Sequence, residues 1–199
     1  MPDQPTLTKQ KGAHRPTHVL FFAAVPPAEL KARMATAWQS FGTAEPFRND
    51  TLHLSICAVA EVDDIDPVLV QRAGQAARAL RTAPFTLCLD RLMTFPVGAA
   101  SHQLVNATER TSNDLNEIAA ELQTACRAMG IAASRPTKIM PHVTLAYGRG
   151  FPEVRPLDTS ILWTIEEVTL IDSLWGQGRH VPLGHWPLPL DRHQRGFDF

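Results

Sequence analysis

The same five-residue pattern occurs twice in this 199-residue chain, as Leu52-His53-Leu54-Ser55-Ile56 and Pro141-His142-Val143-Thr144-Leu145, with the histidines 89 positions apart. In each copy the histidine and the hydroxyl residue stand two apart, so on an extended strand they project from one face. Leu52, Leu54 and Ile56, and in the second copy Val143 and Leu145, turn to the other face. A single H-x-S or H-x-T strand is ordinary, and most such histidines bond a neighbouring carbonyl. Two copies, one in each half, point to an internal duplication with a groove shared between two lobes.

Length and composition set bounds on that picture. A chain of 22.0 kDa with 44 % hydrophobic and 20 % charged residues is expected to form about one domain. It should bury roughly 70 % of its unfolded surface, so neither metal nor disulfide is required for stability. The 19 Lys+Arg against 20 Asp+Glu argue against a broad grip on duplex nucleic acid. A small nucleotide or one RNA end, with one or two phosphates held, remains open. Cys57, Cys88 and Cys126 are widely spaced in apolar stretches and read as free thiols of a reducing compartment. Residues 1–16 are polar and carry three prolines, which predicts a flexible segment that is neither signal peptide nor membrane anchor. The longest apolar run, residues 19–27, is about half a bilayer span. A cytoplasmic, monomeric protein with no membrane partner is expected, with one two-lobed domain over residues 17–190 and a polar tail over 191–199.

Periodicity predicts a mixed α+β domain of three helices and about seven strands. A strand at 18–25 leads through Pro26-Pro27 into a helix with Leu30, Met34, Trp38 and Phe41 on one side, stopped by Gly42. Strands are read at 51–59 and 84–90, with 102–107 as a partner, and then at 140–147, 164–174 and 180–187. A second helix follows Asp66-Pro67. The third runs from about Ser112, capped by Thr111 or Ser112, to Met129 before Gly130. Gly176-Gln177-Gly178 is read as a hairpin turn.

Two imidazoles on one groove suit a reaction that needs an acid and a base together. One takes a proton from an attacking water while the other gives a proton to the leaving oxygen. Ser55 and Thr144 can donate hydrogen bonds to phosphate oxygens as charge develops. No metal or other cofactor is called for, and the remaining histidines, His180 and His185 included, lack zinc-ligand spacing.

With these motifs go flanking features: Leu20-Phe21-Phe22-Ala23 leading to Pro26-Pro27, Glu61-Val62 after the first motif, and residues 84–90 (PFTLCLD). Arg135-Pro136 before the second motif, Gly178-Arg179, and Trp186-Pro187-Leu188 complete the set. Over residues 18–188 the sequence resembles the two-histidine (2H) phosphoesterase superfamily, in particular the bacterial 2′-5′ RNA ligase-like RNA 2′,3′-cyclic phosphodiesterases. The resemblance implies two pseudo-symmetric α+β lobes, each an antiparallel sheet with flanking helices, and a central cleft between the histidines. It implies metal-independent opening of a 2′,3′-cyclic phosphate on RNA or a nucleotide to a 2′-phosphomonoester, with reversible 2′-5′ ligation in some members. His53 is then the acid to the departing O3′, His142 the base to water, and Ser55 and Thr144 the phosphate holders. Phe22, Arg135, Tyr147 and Arg149 are the expected substrate-binding residues, Phe22 as a surface for a base to stack on. The alternatives are a small cyclic nucleotide or 2′-5′ oligoadenylate as substrate, or a module that binds RNA ends or nucleotides without cutting.

Several positions depart from the family pattern. Ser55 stands where threonine is usual, Tyr147 where relatives often carry arginine, Ala58 where a bulky residue is common, and Gln103-Leu104 where a tryptophan is expected. All lie near the expected substrate wall. Tyr147, three positions after Thr144, falls on the opposite strand face if the strand stays regular.

Overall fold

The computed structural model describes residues 16–42, 44–97, 101–107, 113–134, 139–148 and 153–190. Strand β1 (His18–Ala24) is the apolar run, with Leu20 and Phe22 wholly buried. Helix α1 (Ala28–Ser40) starts after Pro27, whose fixed φ suits a helix entry, and buries Leu30, Met34 and Trp38 at i, i+4 spacing. Gly42 ends it at φ +62°, a left-handed conformation that glycine adopts without steric cost. A single 3-10 turn (Asn49–Thr51) precedes β2 (Leu54–Val62). In α2 (Pro67–Arg78) the Asp66 carboxylate accepts a hydrogen bond from the Val68 amide at 2.8 Å, an N-cap with proline just inside the helix. Strands β3 (Phe85–Val97) and β4 (Ser101–Ala107) pair antiparallel. Helix α3 (Asn113–Ala128) buries Leu115, Ile118, Ala119, Leu122 and Cys126 and leads into Gly130 at φ +76°. The cap expected at Thr111 or Ser112 lies outside the described residues. Strands β5 (His142–Gly148), β6 (Arg155–Ile165), β7 (Glu167–Leu174) and β8 (Arg179–Pro187) complete the chain.

The strands form two antiparallel four-stranded sheets, ordered β2-β1-β7-β8 and β5-β4-β3-β6. Each motif strand is thus the edge of its own sheet. Helices α2 and α3 pack on the first sheet and on each other, and α1 packs beside β6 of the second. The Trp186 ring lies over Gly184 and against Gly74, where an added Cβ would come within 2.9 Å of it, so the absence of a side chain in α2 lets helix and sheet close. Both motif-strand edges are tied by chain from elsewhere. Ala58 of β2 exchanges backbone hydrogen bonds with Ser134 at 2.9 Å, and the Arg48 amide donates to the Leu145 carbonyl of β5 at 2.9 Å. These ties occupy backbone groups that a bare edge would leave open.

The strand expected at 164–174 is in fact the end of β6 and all of β7, which belong to different sheets and part at Glu166, whose carbonyl accepts from the Leu188 amide at 2.7 Å. The first half of β6 escapes the hydrophobic pattern because it lies at a sheet edge, where Pro156, Asp158 and Ser160 cost little. Among the described residues there are therefore eight strands, and β2 begins at Leu54 rather than 51. Cys57 and Cys126 are buried and Cys88 half-buried, all as free thiols. No helix among the described residues is long and apolar enough to cross a membrane.

Candidate active site

His53 immediately precedes β2 and His142 opens β5, and these two strands lie against each other across the junction of the sheets. Both imidazoles are held in the same manner. The Nδ1 of His53 lies 2.8 Å from the Thr51 carbonyl, and the Nδ1 of His142 lies 2.8 Å from the Met140 carbonyl. A carbonyl only accepts, so Nδ1 carries the proton and donates in each case. That fixes the neutral tautomer and leaves Nε2 as the nitrogen available for proton transfer.

Each ring also has an aromatic neighbour. Phe21 of β1 lies 4.9 Å from His53, centroid to centroid, and Phe95 of β3 lies 4.9 Å from His142. His180 of β8 adds a third imidazole, 4.9 Å from His53 and 5.8 Å from Phe21. Burial disfavours the charged form of all three imidazoles. His53 is pushed down to about 4, chiefly by desolvation, with smaller contributions from the positive fields of His180, Arg48 and His142, against an upward pull from the Thr51 carbonyl. Desolvation likewise lowers His142, against the Met140 carbonyl. His180 falls to about 4 through desolvation and then Arg48, with Asp172 pulling upward. The contact between β2 and β5 brings the two motif histidines near each other, and the positive field of His142 reaches His53.

A bulge follows each motif at the third residue after the histidine. Ile56 is the extra residue of β2, between Ser55 paired with Ala23 and Cys57 paired with Phe22. Leu145 is the extra residue of β5, between Thr144 paired with Val105 and Ala146 paired with Leu104. The bulge changes where Tyr147 lies. It pairs with Gln103 while Thr144 pairs with Val105, and those two positions share a face of β4, so Tyr147 returns to the Thr144 side. The opposite-face expectation held for a regular strand and fails because this one is bulged. In the first motif the equivalent of Tyr147 is Ala58, which leaves that position open.

The sequence-predicted residues divide clearly. His53 and His142 come together. Ser55 stands exposed beside the first histidine, and Thr144, 7 % exposed, beside the second. Tyr147 is exposed, with the Arg48 guanidinium 4.6 Å above its ring. Phe22 is wholly buried and meets Trp186 edge-on at 6.0 Å, so no substrate base can reach it. Its neighbour Phe21, on the alternate face of β1, lies against His53 instead. Arg135 and Arg149 lie outside the described residues, as does Lys138. Sequence reasoning missed Arg48, His180 and Phe95. Arg48 sits five positions before the first histidine in a loop bounded by Pro46, and His180 follows the Gly178 turn; those positions were the available signals. Among the described residues no group of three or more His, Cys, Asp or Glu side chains is placed to hold a metal ion.

These protonation states fix the expected pH dependence. Catalysis by an imidazole pair needs one ring protonated and the other neutral, and in the free protein the pKa values of both rings lie below 6.5. We expect kcat/KM to be highest on the acid side of pH 6.5 and to fall about tenfold per pH unit above the higher of the pair's two apparent values. The optimum for kcat should lie higher if the bound ligand is an anion, because a negative charge beside the rings favours imidazolium. Initial-rate profiles from pH 4 to 8 check this; a kcat/KM plateau from 6.5 to 8 would contradict it.

Residues 25–175 match the family model described as the 2′-5′ RNA ligase superfamily. Among solved structures, Escherichia coli LigT in its apo form superposes with a TM-score of 0.69 at 25 % identity, covering 88 % of this chain and 99 % of LigT. A structure described as a phosphoesterase superposes with a TM-score of 0.67 at 25 % identity, covering 87 % of this chain and 98 % of its own. The TT0787 protein of Thermus thermophilus shares the fold at a TM-score of 0.62 and 19 % identity, over 87 % of this chain and 99 % of that one. Comparison with curated protein sequences gives no match.

Proposed function

Because this chain belongs to the 2′-5′ RNA ligase superfamily, and with it to the 2H phosphoesterases, we propose that it is a metal-independent phosphodiesterase that opens 2′,3′-cyclic phosphate ends of RNA or nucleotides to 2′-phosphomonoesters. The observation that carries this reading is the matched anchoring of two histidines, each with Nδ1 tied to the carbonyl two residues back and Nε2 left for proton transfer. LigT also has a solved complex with 3′-AMP, and a nucleotide of that class is the ligand proposed here.

In this mechanism the Nε2 of His142 accepts a proton from water as its oxygen bonds to phosphorus. The P–O3′ bond breaks, and His53, protonated at Nε2, gives its proton to O3′. The products are a 3′-hydroxyl and a 2′-phosphomonoester, and the proton taken up by one ring balances the proton lost by the other. Ser55 and Thr144 donate to the non-bridging oxygens, where negative charge grows. His53, neutral in the free protein near pH 7, takes up its proton when the phosphate anion enters, since an opposite charge within ~4–6 Å favours the charged imidazole.

The test is an RNA oligonucleotide ending in a 2′,3′-cyclic phosphate, incubated with the protein in EDTA. We expect quantitative conversion to the 2′-phosphate. Turnover only with an added divalent metal, or a 3′-phosphate product, would overturn the mechanism.

A further inference from the structure

We propose that Arg48 is the cation that holds the substrate phosphate, with the ring of Tyr147 as the platform that positions it. The proposal rests on the phosphodiester reading of the site and adds a residue outside both motifs. One guanidinium nitrogen of Arg48, Nη1, is shut off from solvent and has no hydrogen-bond partner among the described residues. An unpaired buried donor on a charged group is costly, and anionic oxygens would satisfy it. The guanidinium is also fixed in place, stacked 4.6 Å from the centroid of Tyr147. Its backbone amide is anchored separately to Leu145 in the bulge of β5. Arg48 therefore bridges the two motifs: its chain leads directly into Thr51 and His53, and its amide and guanidinium both meet the strand that carries His142 and Thr144.

The position has an electrostatic consequence. The positive field of Arg48 reaches both His53 and His180 and disfavours their charged forms. With the imidazoles neutral in the free protein, the Arg48 guanidinium can draw an anion to them at neutral pH, since arginine stays protonated. An arriving phosphate neutralises Arg48 and lifts its field from His53, which then takes up the proton it delivers to the leaving oxygen. Arg48 thus binds the phosphate and couples that binding to the protonation of the acid. Tyr147 is a positioning residue, acting through Arg48.

The test uses inorganic phosphate as the probe and needs no turnover. Calorimetric titration at pH 7 should show phosphate affinity falling ~10–100-fold in Arg48→Met, the range for loss of a charged hydrogen bond. It should fall less in Tyr147→Phe, which keeps the ring, than in Tyr147→Leu, where the loss should be several-fold. Imidazole NMR of the ligand-free protein should show the His53 titration midpoint higher in Arg48→Met than in wild type. Arg48→Lys, which keeps the charge, should show a smaller rise, whereas an opening of the site that admits water would raise the midpoint in either variant. The Arg48 side chain can be replaced without touching the hydrogen bond from its backbone amide to the Leu145 carbonyl, and Arg48→Lys, which keeps charge without the planar fork, serves if Arg48→Met does not fold. Equal phosphate affinity in wild type and Arg48→Met, or no binding by wild type, overturns the proposal. Equal losses in Tyr147→Phe and Tyr147→Leu overturn the platform role. Failure to cleave cyclic-phosphate RNA, with phosphate affinity still dependent on Arg48, would remove the proposed activity and leave the Arg48 site standing.

Discussion

His53→Ala and His142→Ala should each lower kcat/KM by about 10²–10⁴-fold, the range for losing a general acid or base, while the protein stays folded. The double variant should be little worse than either single one, because a base without an acid leaves the departing O3′ unprotonated and an acid without a base leaves water unactivated. The fold should survive for a local reason. Each ring makes one hydrogen bond to a carbonyl two residues away, worth about 1 kcal/mol. Removing a desolvated imidazole offsets part of that loss. The pair is tested by steady-state kinetics on a cyclic-phosphate RNA beside thermal melts of the same preparations. If one alanine variant retained near wild-type turnover, its histidine would have no acid–base role. A loss of activity matched by a collapse in melting temperature would point to structure instead of chemistry.

What could be read from the sequence followed from local periodicity. The alternation around His53 and His142 puts imidazole and hydroxyl on one strand face, and the i, i+4 stripes of α1 and α3 are visible without any tertiary knowledge. The rest depends on which strands become neighbours. His180 reaches His53 because the first sheet runs β2-β1-β7-β8 and its surface closes over Phe21. The residues around His180 mark a turn at Gly178 but do not encode that approach. Arg48 enters by a loop crossing between sheets, and Phe95 comes from the part of β3 beyond the alternating run at 84–90. The bulges at Ile56 and Leu145 have no proline or glycine to announce them. They nevertheless decide where Tyr147 lies, because one extra residue reverses every later side chain on the strand.

The adjacent phenylalanines of β1 offer the second test, since the continuous apolar run 18–25 cannot say which ring faces which way. Phe22→Ala should destabilise the protein by ~3–5 kcal/mol, because a wholly buried aromatic packed on Trp186 would leave a cavity that surrounding strands cannot fill. For a chain of this size that corresponds to a fall in melting temperature of roughly 10 °C or more. Phe21→Ala should leave the melt almost in place, since Phe21 is only partly buried on the opposite face. Its cost should appear in kinetics, as a ~10-fold or larger loss in kcat/KM, because the ring confines His53 and His180 on one side and helps to desolvate them. It should also raise the His53 titration midpoint, because water admitted beside the imidazole restores solvation of the charged form. Melts, kinetics and imidazole NMR on the two variants decide the matter together. A large stability loss in Phe21→Ala with little in Phe22→Ala would mean that the faces of β1 are reversed and that Phe22 lies toward the site.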